Sequence, residues 1–178
     1  MKTLILMRHA KAGWAGPGMA DHDRALNRRG RSDAPVMAHW LAARGLRPGT
    51  VLCSPSRRSR ETAALMRDEL PWLPEPDLPE ALYHAGPGTL LEHLRGLPGG
   101  CDSALVIAHE PGLGALLRML DGGAAAPGRG NAGGHFPTAA IAVLEAGIGG
   151  WRGLGADRAE LVAFAAPREL MEKPAPGA

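Results

Sequence analysis

The sequence predicts an α/β layered fold built on a largely parallel sheet. Short apolar runs that suit buried strands alternate with longer segments that suit helices, so that the chain reads as successive strand–helix units. Three of the apolar runs, at residues 3–7, 50–53 and 103–108, end directly at polar or charged residues. No internal repeat and no domain linker is visible, so we expect one domain over residues 1–172 and a frayed tail from Lys173 onward.

The first two units occupy residues 3–69. Residues 3–7 form a short apolar run that is typical of a buried strand, and the Gly-rich polar segment up to residue 26 is typical of a loop. Residues 50–53 predict a second strand, and residues 56–69 a helix with one apolar face. The helix between these two strands needs separate treatment because it contains a proline.

That helix is expected over residues 27–44. Asn27 is a favourable N-cap residue, and Gly45 can end the helix. Pro35 lies inside the predicted span, where it removes one backbone hydrogen bond. We therefore expect either a kink at Pro35 or a helix that begins near Ser32 instead.

The second half continues the alternation after a proline-rich connector at residues 71–79. The expected elements, in order, are a helix over 87–96, a strand over 103–108, a helix from Pro111 to the glycines at 122–123, a loop over 122–134, and strands over 138–144 and 160–165.

Composition excludes several classes of function. The 178 residues carry a formal net charge of only +2, too small to indicate a nucleic-acid or acidic membrane partner. No stretch is long enough to span a bilayer, and the apolar run after Lys2 is too short for an export signal, so we expect a cytoplasmic protein. Cys53 and Cys101 have no CxxC spacing and are expected to be buried free thiols.

The ends of three predicted strands carry the residues that indicate chemistry. Arg8-His9 follows the first strand, Ser54 and an arginine cluster follow the second, and His109-Glu110 follows the third. In open α/β sheets, ligands bind at the carboxyl ends of the strands, so these side chains are expected at one rim. Arginine accounts for 17 of the 20 basic residues, and its planar fork suits bidentate phosphate binding.

The arginine cluster itself has an unusual position. Arg57, Arg58 and Arg60 fall in the first turn of the predicted helix 56–69, where cations oppose the helix dipole unless an anion is near. His109 lies between a strand and a helix N-terminus, which is also a natural place for an anion. Both placements favour a phosphate site.

Five blocks in this order resemble the histidine phosphatase superfamily, and in particular its small SixA-like branch of phosphohistidine phosphatases. The blocks are Arg8-His9, residues 24–30, residues 54–62, residues 82–86 and His109-Glu110-Pro111. Ala10 stands where the broad superfamily has glycine, and alanine there is common in the SixA-like branch. The resemblance implies a three-layer α/β/α sandwich of the phosphoglycerate mutase type, with helices on both faces of the sheet.

The resemblance also implies roles for individual residues. Arg8 and Arg58 would be the phosphate clamp, His9 the nucleophile and His109 the partner histidine. Arg58 is selected over its neighbours because the matching arginine stands four residues after Ser54. Two further assignments are less closely matched, namely Arg24 as a substrate-binding arginine and Glu80 as a possible general acid. No metal and no cofactor is implied.

The function that follows is a phosphohydrolase that works through a phospho-His9 intermediate. A phosphohistidine on a protein is the expected substrate, because its imidazole leaving group needs less acid catalysis than an alkoxide and because the chain has little length for a lid. Two alternatives stay open: a small-molecule phosphomonoesterase of the same superfamily, and a non-catalytic module that binds phosphate or phosphoproteins. Neither a nucleic acid nor a membrane is an expected partner.

Overall fold

A five-stranded sheet forms the middle layer of the molecule. The computed structural model describes residues 1–123 and 136–171, and within them the strand order is β2-β3-β1-β4-β5. The strands are β1 (Lys2–Arg8), β2 (Thr50–Cys53), β3 (Ser103–Ala108), β4 (Ile141–Ala146) and β5 (Glu160–Ala165). The predicted strands over 50–53, 103–108 and 160–165 have these bounds, and the prediction for 3–7 lies within β1.

The sheet is mixed. β1 and β2 each pair in parallel with β3, whereas β4 lies antiparallel to both β1 and β5. Four strands therefore point in one direction and β4 in the other. The predicted α/β fold is confirmed, but the sheet is less parallel in its pairings than we expected, because β4 and β5 join as a hairpin without a crossover helix.

Helices cover both faces of this sheet. They are α1 (Arg28–Ala43), α2 (Arg57–Glu69), α3 (Pro87–Arg95), α4 (Gly112–Leu120) and α5 (Pro167–Met171). Side chains on successive positions of β1 point to opposite faces: Ile5 and Met7 pack with residues of α1 and α2, and Leu4 and Leu6 with residues of α3 and α4. This arrangement is the expected three-layer sandwich.

The helix α1 has the longer of the two expected spans and continues through Pro35. It begins after Asn27, whose Oδ1 accepts a hydrogen bond from the Gly30 backbone N–H, and it extends to Ala43. A proline in a helix costs about 3 kcal/mol, but Ala34 and Met37 on either side of it are fully buried. Burial of Met37 and of Leu41 one turn later offsets that cost, at about 1.5–3 kcal/mol per large side chain.

One further difference lies in the second half of the chain. β4 begins at Ile141 and not at residue 138, because Pro137 to Ala140 form a turn in which Ala139 has a φ of 60°. The predicted loop over 122–134 and the tail from Lys173 fall largely or wholly outside the described residues. Within the described part of the chain, Cys53 is a buried free thiol, Cys101 is a half-buried one, and no helix is long and apolar enough to cross a membrane.

Candidate active site

The carboxyl ends of β1, β2 and β3 meet at one edge of the sheet. Register pairs Arg8 with Ala108, and the His9 backbone N–H continues the ladder by donating to the Ala108 carbonyl at 3.2 Å. His9 and His109 follow these neighbouring strands, and their ring centroids are 5.0 Å apart. That distance is close to the spacing of about 4.8 Å between adjacent strands, so the sheet itself sets the separation of the two rings.

A cavity of about 220 Å³ opens at this edge. It is lined by Arg8, His9, Lys11, Ala12, Asp21, Arg24, Arg58, His84, His109, Glu110 and Thr138. Five of the six residues singled out in the sequence therefore come together around one space. The sixth, Glu80, does not: it lies exposed in a 3₁₀ turn at Glu80–Leu82 and is absent from the described lining.

His9 is buried at the base of the cavity with only 8% of its surface exposed. Its Nδ1 lies 2.8 Å from the Ala10 carbonyl, which fixes the proton on Nδ1, and Arg58 Nε donates to the opposite nitrogen, Nε2, at 3.3 Å. Burial first, and then the positive charge of the nearby arginines, lower the pKa of His9 to about 4. At neutral pH the ring is uncharged and presents an unprotonated Nε2 to the cavity.

The position of His9 is secured through Thr62 of α2. The Ala10 backbone N–H donates to Thr62 Oγ1 at 3.0 Å, and Thr62 Oγ1 in turn donates to the Arg58 carbonyl at 2.7 Å. Thr62 is fully buried, so this link between the end of β1 and α2 is shielded from water. The nucleophile candidate and the arginine opposite it are thus held by one hydrogen-bond chain.

Of the three arginines in the first turns of α2, only Arg58 lines the cavity. It is 3% exposed, whereas Arg57 is exposed and pairs with Glu61. The guanidinium of Arg58 has two bidentate edges. Its inner edge, Nε and Nη2, lies 3.3 Å from His9 Nε2 and 3.4 Å from His109 Nδ1, respectively.

His109 is 3% exposed and is held on both sides of its ring. Its Nε2 lies 2.6 Å from Ser54 Oγ, the residue that ends β2, and its Nδ1 faces the donor Nη2 of Arg58. Because arginine can only donate, Nδ1 accepts and Nε2 carries the proton. Burial, followed by the charges of neighbouring groups, lowers the pKa of His109 to about 3. At neutral pH His109 is therefore uncharged, and its protonated nitrogen, Nε2, faces Ser54.

Arg8 lines the same cavity as Arg58. Its Nη1 donates to the Phe136 carbonyl at 2.8 Å, and burial lowers the pKa of Arg8 while the negative charge of Glu110 opposes that change. Glu110 accepts hydrogen bonds from the Phe136 and Gly114 backbone N–H groups, one on each carboxylate oxygen. Glu110 was noted in the sequence only as part of the fifth block, and the structure adds it to the site as a counter-charge for Arg8.

Arg24 reaches the cavity from the loop before α1. Its Nε donates to the Gly13 carbonyl at 2.9 Å, and its Nη1 donates to Asp21 Oδ1 at 2.8 Å. The side chain is about one-quarter exposed, at 27%, which leaves it accessible from the cavity mouth.

Three residues at the mouth were not singled out from the sequence: Asp21, Tyr83 and His84. Tyr83 Oη donates to Asp21 Oδ2 at 2.7 Å, and His84 Nε2 lies 3.2 Å from the same oxygen. His84 has a φ of 51°, a conformation unfavourable for a residue with a Cβ and one that clusters at functional sites. The Leu82–Gly86 block of the family resemblance was the available signal for the last two.

The arrangement suits a tetrahedral oxyanion placed against a nucleophilic nitrogen. Arg8, Arg24 and Arg58 surround the cavity with fixed positive charge, and His9 Nε2 faces its interior. Within the described parts of the chain, no group of three histidine, cysteine or acidic side chains is placed to hold a metal ion.

Comparison with known proteins identifies the relatives of this chain. The model of the histidine phosphatase superfamily (branch 1) matches residues 4–89. An uncharacterized protein of Mycobacterium tuberculosis is 37% identical over 165 residues, covering 91% of this chain and 100% of that protein.

Solved structures show the same relationship. A structure assigned to the phosphohistidine phosphatase SixA of Nakamurella multipartitia superposes with a TM-score of 0.79 and 29% identity, covering 93% of this chain and 96% of that one. The protein histidine phosphatase SixA in complex with tungstate gives a TM-score of 0.76 and 25% identity, covering 94% and 99% of the two chains.

Proposed function

The chain belongs to the histidine phosphatase superfamily and is a phosphatase, and from this premise we propose that it removes phosphoryl groups from phosphohistidine side chains of proteins through a phospho-His9 intermediate. The observation that carries the proposal is the state of His9: its Nδ1 donates to the Ala10 carbonyl, and its unprotonated Nε2 faces the inner edge of Arg58. A neutral imidazole is a good nucleophile toward phosphorus.

The reaction proceeds in two transfers. His9 Nε2 forms a bond to phosphorus while the bond from phosphorus to the substrate nitrogen breaks, and Arg8, Arg58 and Arg24 bind the phosphoryl oxygens. The dianion next to His109 favours its protonated form, so that this ring becomes a further donor to the oxygens. Water then attacks phospho-His9, releasing inorganic phosphate and restoring the free Nε2.

The carboxylates of the cavity favour a phosphoramidate over a phosphoester. Among the described residues of its lining, the carboxylates are Asp21 and Glu110. Glu110 accepts hydrogen bonds from two backbone N–H groups. Burial acts to raise the pKa of Asp21, but hydrogen bonds from Tyr83, Arg24 and Arg58 hold that pKa well below its usual range. Neither is arranged to donate a proton. A phosphohistidine that carries a proton on its second ring nitrogen leaves as neutral imidazole and does not require one.

The surroundings of the mouth favour a substrate carried on a protein. Trp14 is 96% exposed, and it follows Ala12, a lining residue, by two positions. Met19, in the same loop, is also exposed. Exposed aromatic and methionine side chains are enriched at protein interfaces, so this loop suits a partner that brings its phosphohistidine to the cavity.

The experiment compares kcat/KM for a phosphohistidine-bearing carrier protein with that for p-nitrophenyl phosphate. We expect the carrier to be the better substrate, and Trp14→Ala to raise KM for the carrier alone. Val162→Ala, which shortens an exposed side chain on β5, is the matched control. A clear preference for small phosphoesters would assign the chain to the small-molecule phosphomonoesterases instead.

Labelling separates catalysis from binding. Rapid mixing with a phosphodonor should give a burst of acid-labile phosphate on the protein, and its absence with every donor tested would indicate a non-catalytic phosphate-binding module. Glu80→Gln should leave turnover unchanged, because Glu80 lies outside the cavity. Loss of turnover on phosphoesters in that variant would restore Glu80 as the general acid.

Two further parts of the proposal concern metal ions and the cellular compartment. The three arginines supply the charge stabilisation that a metal ion supplies in other phosphoryl transferases, so we propose metal-independent turnover. Free thiols at Cys53 and Cys101 suit a reducing compartment, which supports activity in the cytoplasm.

A further inference from the structure

Asp21 is a residue of the cavity that the proposed transfer does not use. It lies in a 3₁₀ turn, Asp21–Asp23, at the mouth of the cavity, and its side chain is 43% exposed. A carboxylate beside a site for a phosphoryl group repels the substrate, because both carry negative charge. We therefore expect Asp21 to have another function at this site.

The contacts of Asp21 with Arg58 indicate what that function is. Arg58 Nη1 donates to the Asp21 backbone carbonyl at 2.7 Å, and Arg58 Nη2 donates to Asp21 Oδ2 at 2.9 Å. Nη1 and Nη2 form the outer edge of the guanidinium. Asp21 therefore binds this edge at two points and leaves Nε and the second hydrogen of Nη2 directed toward His9 and His109.

The remaining contacts hold Asp21 in place. Its Oδ1 accepts a hydrogen bond from Arg24, and its Oδ2 accepts one from Tyr83 and lies 3.2 Å from His84 Nε2. Three segments of the chain, at residues 21–24, 58 and 83–84, thus meet on one carboxylate. The hydrogen bonds keep this group ionised, so the contact with Arg58 is charge-assisted.

We propose that Asp21 is a positioning residue for the phosphoryl transfer, which holds the outer edge of Arg58 so that the inner edge meets two oxygens of the phosphoryl group on His9. The inference rests on the proposed function. Without the Asp21 carboxylate, the guanidinium can rotate about the single bonds of the Arg58 side chain, and the inner edge loses its fixed direction. The negative charge costs some ground-state affinity for phosphate, and the fixed geometry lowers the barrier of the transfer.

This role predicts that Asp21→Asn lowers turnover without weakening the binding of phosphate. The amide has nearly the same shape but neither the charge nor the charge-assisted bonds. We expect kcat to fall by about 10²-fold, as when one preorganised donor is lost. The Kd for inorganic phosphate, measured by calorimetry, should stay unchanged or become smaller, because a repelling charge has been removed. Asp23→Asn is the matched control: Asp23 is exposed, contacts His22 and does not line the cavity.

Three kinetic outcomes would overturn the inference. Unchanged kcat would show that Arg58 is oriented without Asp21. Equal losses of turnover and phosphate affinity, together with a lower Tm, would show a purely structural role. A rise in kcat with tighter phosphate binding would show that Asp21 obstructs the clamp.

A crystal structure of the Asp21→Asn protein gives a readout that does not depend on activity. We expect the inner edge of Arg58 to turn away from His9, so that the separation of Arg58 Nε and His9 Nε2 exceeds its present 3.3 Å. An unmoved Arg58 overturns the inference. If the wild-type protein turns over no phosphorylated substrate at all, the proposed function fails, and this structure still decides whether Asp21 positions Arg58.

Discussion

The substitution Arg58→Lys tests the phosphate clamp most directly. The side chain is 3% exposed, and its inner edge presents Nε and Nη2 toward the two histidines. Lysine keeps the positive charge but replaces the planar fork by a single ammonium, so one of two directed donors is lost. The loss of one preorganised donor costs about 10²–10³-fold in kcat, or about 2.7–4 kcal/mol. Because the charge is kept, we expect the lower end of that range, about 10²-fold.

The same substitution should leave the fold nearly unchanged. Asp21 keeps Arg24 and Tyr83 as partners and is 43% exposed, so the loss of its contact with Arg58 leaves no uncompensated buried charge on it. The loss of a hydrogen bond or two corresponds to about 1 kcal/mol each, which for a protein of this size shifts Tm by about 2–4 °C per kcal/mol. A larger fall in Tm would mean that kcat reports damage to the fold.

Arg57→Lys and Arg60→Lys are the controls, since both residues are exposed and neither lines the cavity. The assay is single-turnover dephosphorylation of a phosphohistidine carrier, with burst labelling of the protein as the second measurement. If all three variants lose the same modest factor, the cluster is a diffuse basic patch. If Arg57→Lys alone abolishes activity, the residue assigned to the clamp is wrong.

Four further outcomes are expected. His9→Ala should fold normally but form no acid-labile phosphoenzyme, and retained labelling would remove His9 as the nucleophile. EDTA should leave turnover unchanged, and a loss that Zn²⁺ or Mg²⁺ restores would contradict metal independence. In an NMR titration the His9 ring should take up its second proton near pH 4 and not near the usual 6.5. Because the unfolded chain binds that proton near pH 6.5, the free energy of unfolding should also decline as the pH falls from about 6.5 to 4. Gly30→Ala should lower turnover and also the free energy of unfolding, the latter by about 1–3 kcal/mol, because a Cβ there would overlap the carbonyl oxygen of Lys11 and lie 2.8 Å from the backbone nitrogen of Lys11. Gly88→Ala is the control, because a Cβ at that position on α3 would meet open space. Equal effects of the two changes would contradict the steric reason.

Strands that are buried on both faces could be predicted from the sequence closely. β3 has the bounds expected from its apolar run, because all but its first residue are buried and the apolar pattern of the sequence coincides with the buried part of the strand. The start of β4 could not be predicted in the same way. Thr138 to Ala140 look like the beginning of a strand, but Ala139 donates to the carbonyls of Arg8 and His9, so this segment turns against the end of β1. That contact spans 130 residues of sequence and leaves no local signal.

The residues of the candidate site also differ in how well the sequence predicts them. Arg8, His9, Arg58 and His109 lie at strand ends or in the helix turn that follows one, and the ordered blocks indicated all four. Asp21 lies in an irregular loop, and its partners Arg58 and His84 are 37 and 63 residues away. A loop carboxylate is usually solvated, and only the folded chain shows that this one joins three segments. The exposed position of Glu80 has the same origin, since loop geometry decides which acid faces the cavity.

The pairing of β1 with β3 has a consequence for how this enzyme can diversify. The two histidines directly follow rigid neighbouring strands, and their separation is maintained by main-chain hydrogen bonds that substitutions other than proline leave in place. The walls of the cavity, in contrast, come from loops at residues 11–24 and 83–86, which connect elements and bear little of the core. Exchanging those loops for others should retune which phosphorylated molecules reach His9, the proposed nucleophile, while the transfer chemistry stays constant. A chimera that carries the loops of another family member is therefore a practical route to a dephosphorylating enzyme with altered selectivity.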